Sequence, residues 1–339
     1  MKGGRFRVLR LLRIVLGWIL LLGCLAWAFG ALWFDLPFES WRHPVAFSFL
    51  LAAVLSLIWI RPSWHARLGL FVIFLFIATA WLTLQPDDHQ PWQADVDKTG
   101  WAELNGDEIV IHNLRNYTYR SEYDYTPDWE IRTVHLSKLT GVDLAITYWG
   151  SPWMAHPIAT FRFADSPPVS FSIEARKVIG QEFSSLASLY RQAQLIYVVA
   201  DERDSIGVRA IHRHGEDVYL YRTTATPQQG RERFLEYLKV LNQLRAEPRW
   251  YNVVTTNCTT SIREQRPVTE RMPWDWRILL NGKADEMLYQ RHLIATDNLS
   301  FAELKQRSLI NQRARAAEKD PDFSRRIREG VPGFAVGGL

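Results

Sequence analysis

The residue best placed to do chemistry is Cys258, which follows an extended apolar segment in the run Trp250–Arg263. Thr256 and Asn257 come directly before it, and both residue types are frequent helix N-caps. We therefore expect a helix to begin near Cys258. In the first turn of a helix, the dipole and the free backbone N–H groups favour a thiolate and can hold an oxyanion. The alternative is a structural cysteine that packs as a small hydrophobic residue.

A thiol nucleophile needs a base, and histidine usually serves. His156 is the candidate because it lies at the start of the strand-like run Ile158–Phe163. A core or cap histidine is equally compatible with that position. His212 and His214 flank Arg213 in a polar turn and could coordinate a metal ion. No further metal ligands lie near them in the sequence at the spacing of a metal site. We expect no metal and no cofactor.

A third group should orient the imidazole. Ser172 and Glu174 alternate onto one face of the predicted strand Val169–Arg176, so Glu174 is the candidate acceptor. The alternative is that Glu174 forms a structural ion pair with Arg176 or Arg162.

Strands and helices must bring these three residues together, and their mixture predicts an α+β domain. Strand-like runs occupy Glu108–Leu114, Trp129–Leu136, Asp143–Trp149, Ile158–Phe163, Val169–Arg176, Leu195–Ala200 and Val218–Arg222. Helical periodicity is present at Phe183–Gln192 and at Gln228–Arg245. Thr226 is the expected cap of the second helix, with Pro227 at its first position.

The first 85 residues predict a membrane anchor. Apolar runs without acids or bases lie at about residues 14–34, 45–60 and 68–84, and about 20 residues span a bilayer. Basic residues precede the first run and separate the second from the third, so these flanks should stay cytoplasmic. With three transmembrane helices, everything beyond them lies in the periplasm. The expected location is therefore the bacterial inner membrane, as a multi-pass protein.

Charge and composition support this division of the chain. Residues 1–85 hold eight Lys and Arg against two Asp and Glu, whereas the remainder is slightly acidic, so nucleic acid is not an expected partner. We expect an anchor at 1–85, a periplasmic domain at 86–310 and a frayed, charged to Gly-rich tail at 311–339. Cys24 could belong to a lipoprotein cleavage box, although the apolar run continues beyond it.

Several segments of the exported domain resemble the Lnb periplasmic-domain family, which is named for a bacterial lipoprotein N-acyltransferase. They are Arg115–Ser121, Trp129–Thr133, Ala155–His156 with Phe161–Phe163, Ser172–Arg176 and Trp250–Thr260. The order of His156 before Cys258 is similar to that of circularly permuted papain-like enzymes, including permuted relatives of NlpC-type hydrolases and lecithin:retinol-acyltransferase-like proteins. The resemblance implies a permuted papain-like (NlpC-like) domain with an antiparallel sheet and a Cys-bearing helix. It also implies Cys258 as nucleophile and His156 as base.

On this resemblance we expect a membrane-anchored, periplasm-facing, thiol-dependent acyltransferase that acts through a Cys258 thioester. A domain held at the bilayer meets phospholipids and lipoproteins at high effective concentration, which favours them as substrates. The alternatives are a cell-wall peptidase or amidase, a lipid hydrolase with the same Cys–His dyad, and a non-catalytic membrane-anchored binding module. The three N-terminal spans depart from the lipoprotein acyltransferase and leave the substrate open.

Overall fold

The computed structural model describes residues 2–61, 63–265, 271 and 273–334. The chain divides into two compact units. The first comprises the residues up to position 86 together with 183–192, and the second comprises 87–182 together with the residues from 193 onward. Each unit has an apolar core of its own.

The first unit contains three helices, α1 (Lys2–Asp35), α2 (Arg42–Trp59) and α3 (Ser63–Leu82). All three are long and apolar enough to cross a membrane, and they contain the three predicted apolar runs almost completely. Small side chains such as Ala28 and Ala46 are fully buried, which lets the helix backbones approach closely. Large apolar side chains lie exposed on the outer faces, where lipid would cover them.

The second unit is built on an eight-stranded sheet, with a separate two-stranded ribbon. The sheet strands are β1 (Trp101–Asn105), β2 (Glu108–Arg115), β5 (Trp129–His135), β6 (Leu139–Trp149), β7 (Ala155–Phe163), β8 (Val169–Arg176), β9 (Gln194–Asp201) and β10 (Glu216–Arg222). The ribbon pairs β3 (Thr118–Tyr119) with β4 (Tyr125–Thr126). The sheet order is β1-β2-β9-β8-β7-β6-β10, and β5 also pairs with β2.

The expectation of an antiparallel sheet is wrong at one place. Strand β2 pairs with β9 in parallel, with Arg115 opposite Ala200, whereas the other strand pairs are antiparallel. Apolar alternation along a strand reports which face is buried, but it does not report the direction of the neighbouring strand. Several strands lie between β2 and β9 along the chain, and such a long connection permits parallel pairing. The sheet is mixed, and the predicted α+β class is confirmed.

Both faces of the sheet are covered, which explains why all nine residues of β7 are buried. Phe161 packs against Phe234 and Tyr237 of α5 (Pro227–Ala246), with ring centroids 5.1 and 5.6 Å apart. Ile158 points to the opposite face, where it joins a second cluster with residues from the C-terminal segment. The central strands therefore form a rigid support for any side chain at their ends.

The two predicted helices have different outcomes. Helix α5 begins as expected, with Thr226 as its cap and Pro227 at its first position, and Gln229 completes a capping box. The helix predicted at Phe183–Gln192 is wrong, because only a single 3-10 turn forms there, at Ala187–Leu189. A ten-residue helix is marginal unless one face packs on a core, and this segment is excluded from the core of the sheet.

The remaining helices are short and line the second unit. They are α4 (Glu202–Gly207), α6 (Cys258–Glu264), α7 (Ala284–Gln290), α8 (Phe301–Ser308), α9 (Asn311–Ala316) and α10 (Phe323–Arg326). Their bounds show that the chain beyond Ile310 continues to fold.

The expected frayed tail at 311–339 is wrong for residues 311–334. Arg328 is only 2% exposed, and it donates to Asp143 at 2.9 Å and to Glu202 at 2.6 Å. A charged segment is expected to form a solvated tail only when its charges have no partners in the fold. Here buried carboxylates on other elements are the partners of Arg328. Residues 335–339 lie outside the described residues.

Candidate active site

His156 lies on β7 and is joined to Glu174 on β8 through Ser172. The two strands pair with Ile158 opposite Ser172, which brings the three side chains to one place. His156 Nε2 lies 2.7 Å from Ser172 Oγ, and the Ser172 hydroxyl donates to Glu174 Oε1 at 2.6 Å. Because that hydroxyl is directed at the carboxylate, its oxygen accepts from Nε2–H. Nδ1 is then the unprotonated nitrogen of the neutral ring.

Glu174 is held by Arg209 rather than by either arginine considered from the sequence. Arg209 donates to Glu174 Oε1 at 3.1 Å, whereas Arg162 pairs with Asp143 and Arg176 pairs with Asp88. Arg209 lies in the short π-helix Val208–His212, which directly follows α4. The candidate acceptor therefore belongs to a chain of four interacting side chains, of which His156, Ser172 and Arg209 are buried and Glu174 is half-buried.

Burial and charge set the protonation states of these side chains. Burial by itself would raise the pKa of Glu174, but Arg209, His156 and Arg115 outweigh it and hold that pKa well below its usual range. For His156, burial and the nearby Arg209 lower the pKa to about 3, against the opposing pull of Glu174. At neutral pH the site therefore holds a neutral imidazole beside an ionised carboxylate.

Cys258 is the first residue of α6, and Asn257 caps that helix. The Asn257 Oδ1 accepts from the backbone N–H groups of Thr259 and Thr260, at 3.0 and 2.9 Å. Cys258 is 5% exposed and packs in the main apolar core. Burial raises the pKa of its thiol to about 11, although a hydrogen bond from Asn281 acts in the opposite direction. The resting thiol is therefore protonated at neutral pH.

The backbone N–H groups of the two residues before Cys258, Thr256 and Asn257, already have acceptors. The N–H of Thr256 donates to the carbonyl of Asn252 at 2.9 Å, and the N–H of Asn257 donates to Thr260 Oγ1 at 2.8 Å. Thr256 and Asn257 therefore form hydrogen bonds that stabilise this turn and the start of α6. The backbone N–H groups of Thr256 and Asn257 are therefore not free to hold developing negative charge.

Asn281, like Arg209, is a residue that sequence reasoning missed. Its Nδ2 donates to Cys258 Sγ at 3.4 Å, and its Oδ1 accepts from the backbone N–H of Ala155 at 2.9 Å. One amide thus ties the thiol to the residue that precedes His156. Within the described part of the chain, no hydrogen bond joins the Cys258 sulfur directly to the His156 ring. The only available signal in the sequence is the Asn-Gly pair at 281–282, which is typical of a turn.

The other histidines do not converge on this site. His212 lies 3.6 Å from Glu318, and His135 lies 2.9 Å from Asp165. No group of three or more His, Cys, Asp or Glu side chains among the described residues is placed to hold a metal ion. A separate polar cleft of about 420 Å³ is lined by Glu130, Arg132 and Asp201, among others.

Comparison with known proteins gives partial matches to enzymes of glucan metabolism. The "Glucans biosynthesis glucosyltransferase H" of Escherichia coli K12 is 35% identical over 106 residues, which are 30% of this chain and 11% of that protein. The protein of the same name from Salmonella typhi is 34% identical over 91 residues, which are 27% and 10% of the two chains. The chain thus spans about a tenth of the length of these relatives. No solved structure matches.

These names correct the expected function. The relatives are named as glucosyltransferases of glucan biosynthesis, so the expectation of a thiol-dependent acyltransferase for lipids or lipoproteins is wrong. Part of the chain also matches the model of a periplasmic domain family. Together with the apolar N-terminal helices, this match indicates an inner-membrane protein with a periplasmic domain. Residues 125–282, which contain His156, Glu174 and Cys258, are similar to the family model of the Lnb N-terminal periplasmic domain.

Proposed function

We propose that this chain is a membrane-anchored enzyme that hydrolyses an ester or amide substituent of a glucan at the periplasmic face, with Cys258 as nucleophile. The observation that carries the proposal is the position of Asn281, whose amide contacts both the Cys258 sulfur and the backbone next to His156. These contacts support a site in which a thiol and a hydrogen-bond donor lie next to the strand that carries the base, which is the set that carbonyl chemistry needs.

The protonation states fit a neutral thiol and a neutral base. As the Cys258 sulfur forms a bond to the substrate carbonyl carbon, the thiol proton passes to His156 Nδ1, the nitrogen that Ser172 leaves available. Glu174 stabilises the imidazolium through Ser172. The Asn281 amide donates to the carbonyl oxygen as it gains negative charge. The imidazolium then gives its proton to the leaving alcohol or amine.

Water completes the reaction. His156 removes a proton from a water molecule, which attacks the Cys258 thioester, and the bond from carbon to sulfur breaks. The products are a free acid and the unsubstituted glucan, and the thiol regains its proton from His156. Atoms and charges therefore balance without a metal or a redox partner.

The order of the groups along the chain supports a permuted papain-like site. The base lies on β7, its acidic partner on the adjacent strand β8, and the cysteine follows at the start of α6. The glucan substrate is supported by the names of the partial relatives. The anchor is proposed to be multi-pass, with α1, α2 and α3 all crossing the bilayer.

The test measures hydrolysis of O-acetylated glucose oligosaccharides and of p-nitrophenyl acetate by the full chain in detergent. Cys258→Ala should abolish release of acetate from both probes. Cys24→Ala is the matched control, because it removes the other cysteine and should leave the rate unchanged. Equal hydrolysis by the wild type and Cys258→Ala would overturn the proposal and favour a binding module. Hydrolysis of p-nitrophenyl acetate alone would reject the glucan and retain the thiol.

A further inference from the structure

Residues 183–192 belong to the same compact unit as the three apolar helices, although β8 and β9 on either side belong to the other unit. Tyr190 is the central contact of this segment. Its ring stacks on Phe34 with centroids 5.1 Å apart and approaches Trp27 at 6.3 Å. Its hydroxyl donates to the carbonyl of Trp27 at 3.4 Å. The segment is therefore seated on the C-terminal third of α1.

The position of Tyr190 along α1 is fixed by its contact with Gly30. A Cβ atom at Gly30 would overlap the Tyr190 hydroxyl, so the glycine is what allows the ring to lie against the helix. Gly30 is five residues before the end of α1, which corresponds to about 7.5 Å along the helix axis. Tyr190 thus contacts α1 more than one turn before its C-terminal end, and α1 is long and apolar enough to span a bilayer.

Polar contacts fix the segment at the helix ends. Gln192 Nε2 donates to Asp35 Oδ1 at 2.6 Å and to the carbonyl of Phe34 at 2.8 Å. The Arg191 guanidinium lies 4.2 Å from the Trp81 ring centroid and donates to the backbone carbonyl of Leu84. Tryptophan is enriched at membrane–water interfaces, and an arginine side chain there can keep its charged group in the headgroup region.

The rest of the segment presents apolar side chains outward. Leu186 is 62% exposed and Phe183 is 43% exposed, and Leu189 is also exposed. Arg191 is the only charged residue between positions 183 and 192. The backbone also satisfies part of its own hydrogen bonding, since the N–H groups of Ser188, Leu189 and Tyr190 donate to carbonyls within the segment. A segment with these properties is compatible with the interfacial layer of a bilayer.

We propose that residues 183–192 form an interfacial membrane segment whose side chains Phe183, Leu186 and Leu189 insert into the lipid leaflet at the C-terminal ends of α1 and α3. The occupant is lipid, because the segment is continuous with the spanning helices and lies below the end of α1. The segment is a second point of membrane contact, far from the anchor in the sequence. This inference does not depend on the proposed hydrolysis.

The test uses the full chain reconstituted in phosphatidylethanolamine and phosphatidylglycerol vesicles. A fluorophore is attached at Leu186→Cys in a chain that also carries Cys24→Ala and Cys258→Ala. Lipids with a spin label near the headgroup should quench this fluorophore several-fold more than iodide does. The matched control is Tyr123→Cys, an 88% exposed position of the other unit, where iodide should quench more than the lipid.

Two results would overturn the proposal. Quenching of Leu186→Cys by iodide to the same extent as Tyr123→Cys would place the segment in water. Protection of Leu186→Cys from both quenchers would mean that protein, not lipid, covers it.

A further variant tests the contact of Tyr190 with Gly30. Gly30→Leu should reduce lipid quenching at position 186, whereas Gly17→Leu, which meets open space on the same helix, should not. Unchanged quenching in Gly30→Leu would reject the role of Tyr190.

Discussion

Asn281 donates a hydrogen bond to the Cys258 sulfur at 3.4 Å across 23 positions of sequence. The same side chain accepts from the N–H of Ala155, so it fixes the helix that carries the thiol against the strand that carries His156. A buried thiol with a raised pKa gains little from its helix alone. In the proposed function, the Asn281 amide is the donor that acts on this sulfur.

Replacing Asn281 should separate its two contacts. Asn281→Ala removes both, and we expect the thiol pKa to rise further and hydrolysis to fall by about 100-fold, as when one oxyanion donor is lost. Asn281→Asp keeps an acceptor for Ala155 but removes the donor to sulfur, so it should lose activity to a similar extent with less loss of stability. The pH dependence of iodoacetamide alkylation of Cys258 measures the thiol pKa. Alkylation profiles identical to the wild type would contradict this role.

Acid should destabilise the protein through His156. Its pKa is lowered to about 3 from an ordinary 6.5, so between these values the unfolded chain binds a proton that the folded chain does not. Stability is therefore lost as the pH falls, by at most about 1.4 kcal/mol per pH unit from this group. Glu174 acts in the same direction below its ordinary 4.5. Melting temperatures measured across this range should fall less steeply in His156→Gln, and an equal slope would contradict the assignment.

Gly282 should tolerate no side chain. A Cβ atom there would overlap the backbone of Pro152 and Trp153, so Gly282→Ala must displace the neighbouring Asn281. We expect faster alkylation of Cys258 and a clear loss of activity. The matched control is Gly207→Ala in α4, where the nearest atom to the new Cβ is 3.7 Å away and helix propensity favours alanine by roughly 1 kcal/mol. Comparable damage from both substitutions would show that the contact at Gly282 is not special.

Arg328 should contribute strongly to the stability of the second unit. Arg328→Met leaves Asp143 and Glu202 buried without their shared cation, and loss of one partner of a buried ion pair costs about 3–5 kcal/mol. Arg325→Met is the control, since its partners are exposed and its effect should stay within about 0.5 kcal/mol. Chemical unfolding of both variants provides the comparison. Equal midpoints would contradict the structural role of Arg328.

The sequence predicts individual elements better than the contacts between distant ones. Period-two alternation located the strand of Glu174 correctly, and the Thr226-Pro227 start identified α5. Asn281 and Arg209 were missed because each acts on a residue far away in the chain, and no local pattern records such a contact. The prediction of a frayed C-terminal tail failed for a similar reason, since the partners of Arg328 lie 185 and 126 positions away in the sequence.

The most direct test of the account is mass spectrometry of the full chain during turnover of an O-acetylated glucose oligosaccharide. The account predicts a transient acetyl adduct on the peptide that contains Cys258, which is absent in Cys258→Ala and persists in Cys24→Ala. It also predicts that the adduct forms more slowly in His156→Gln. Release of acetate by the wild type with no adduct on Cys258, or at an equal rate in Cys258→Ala, would contradict the central claim.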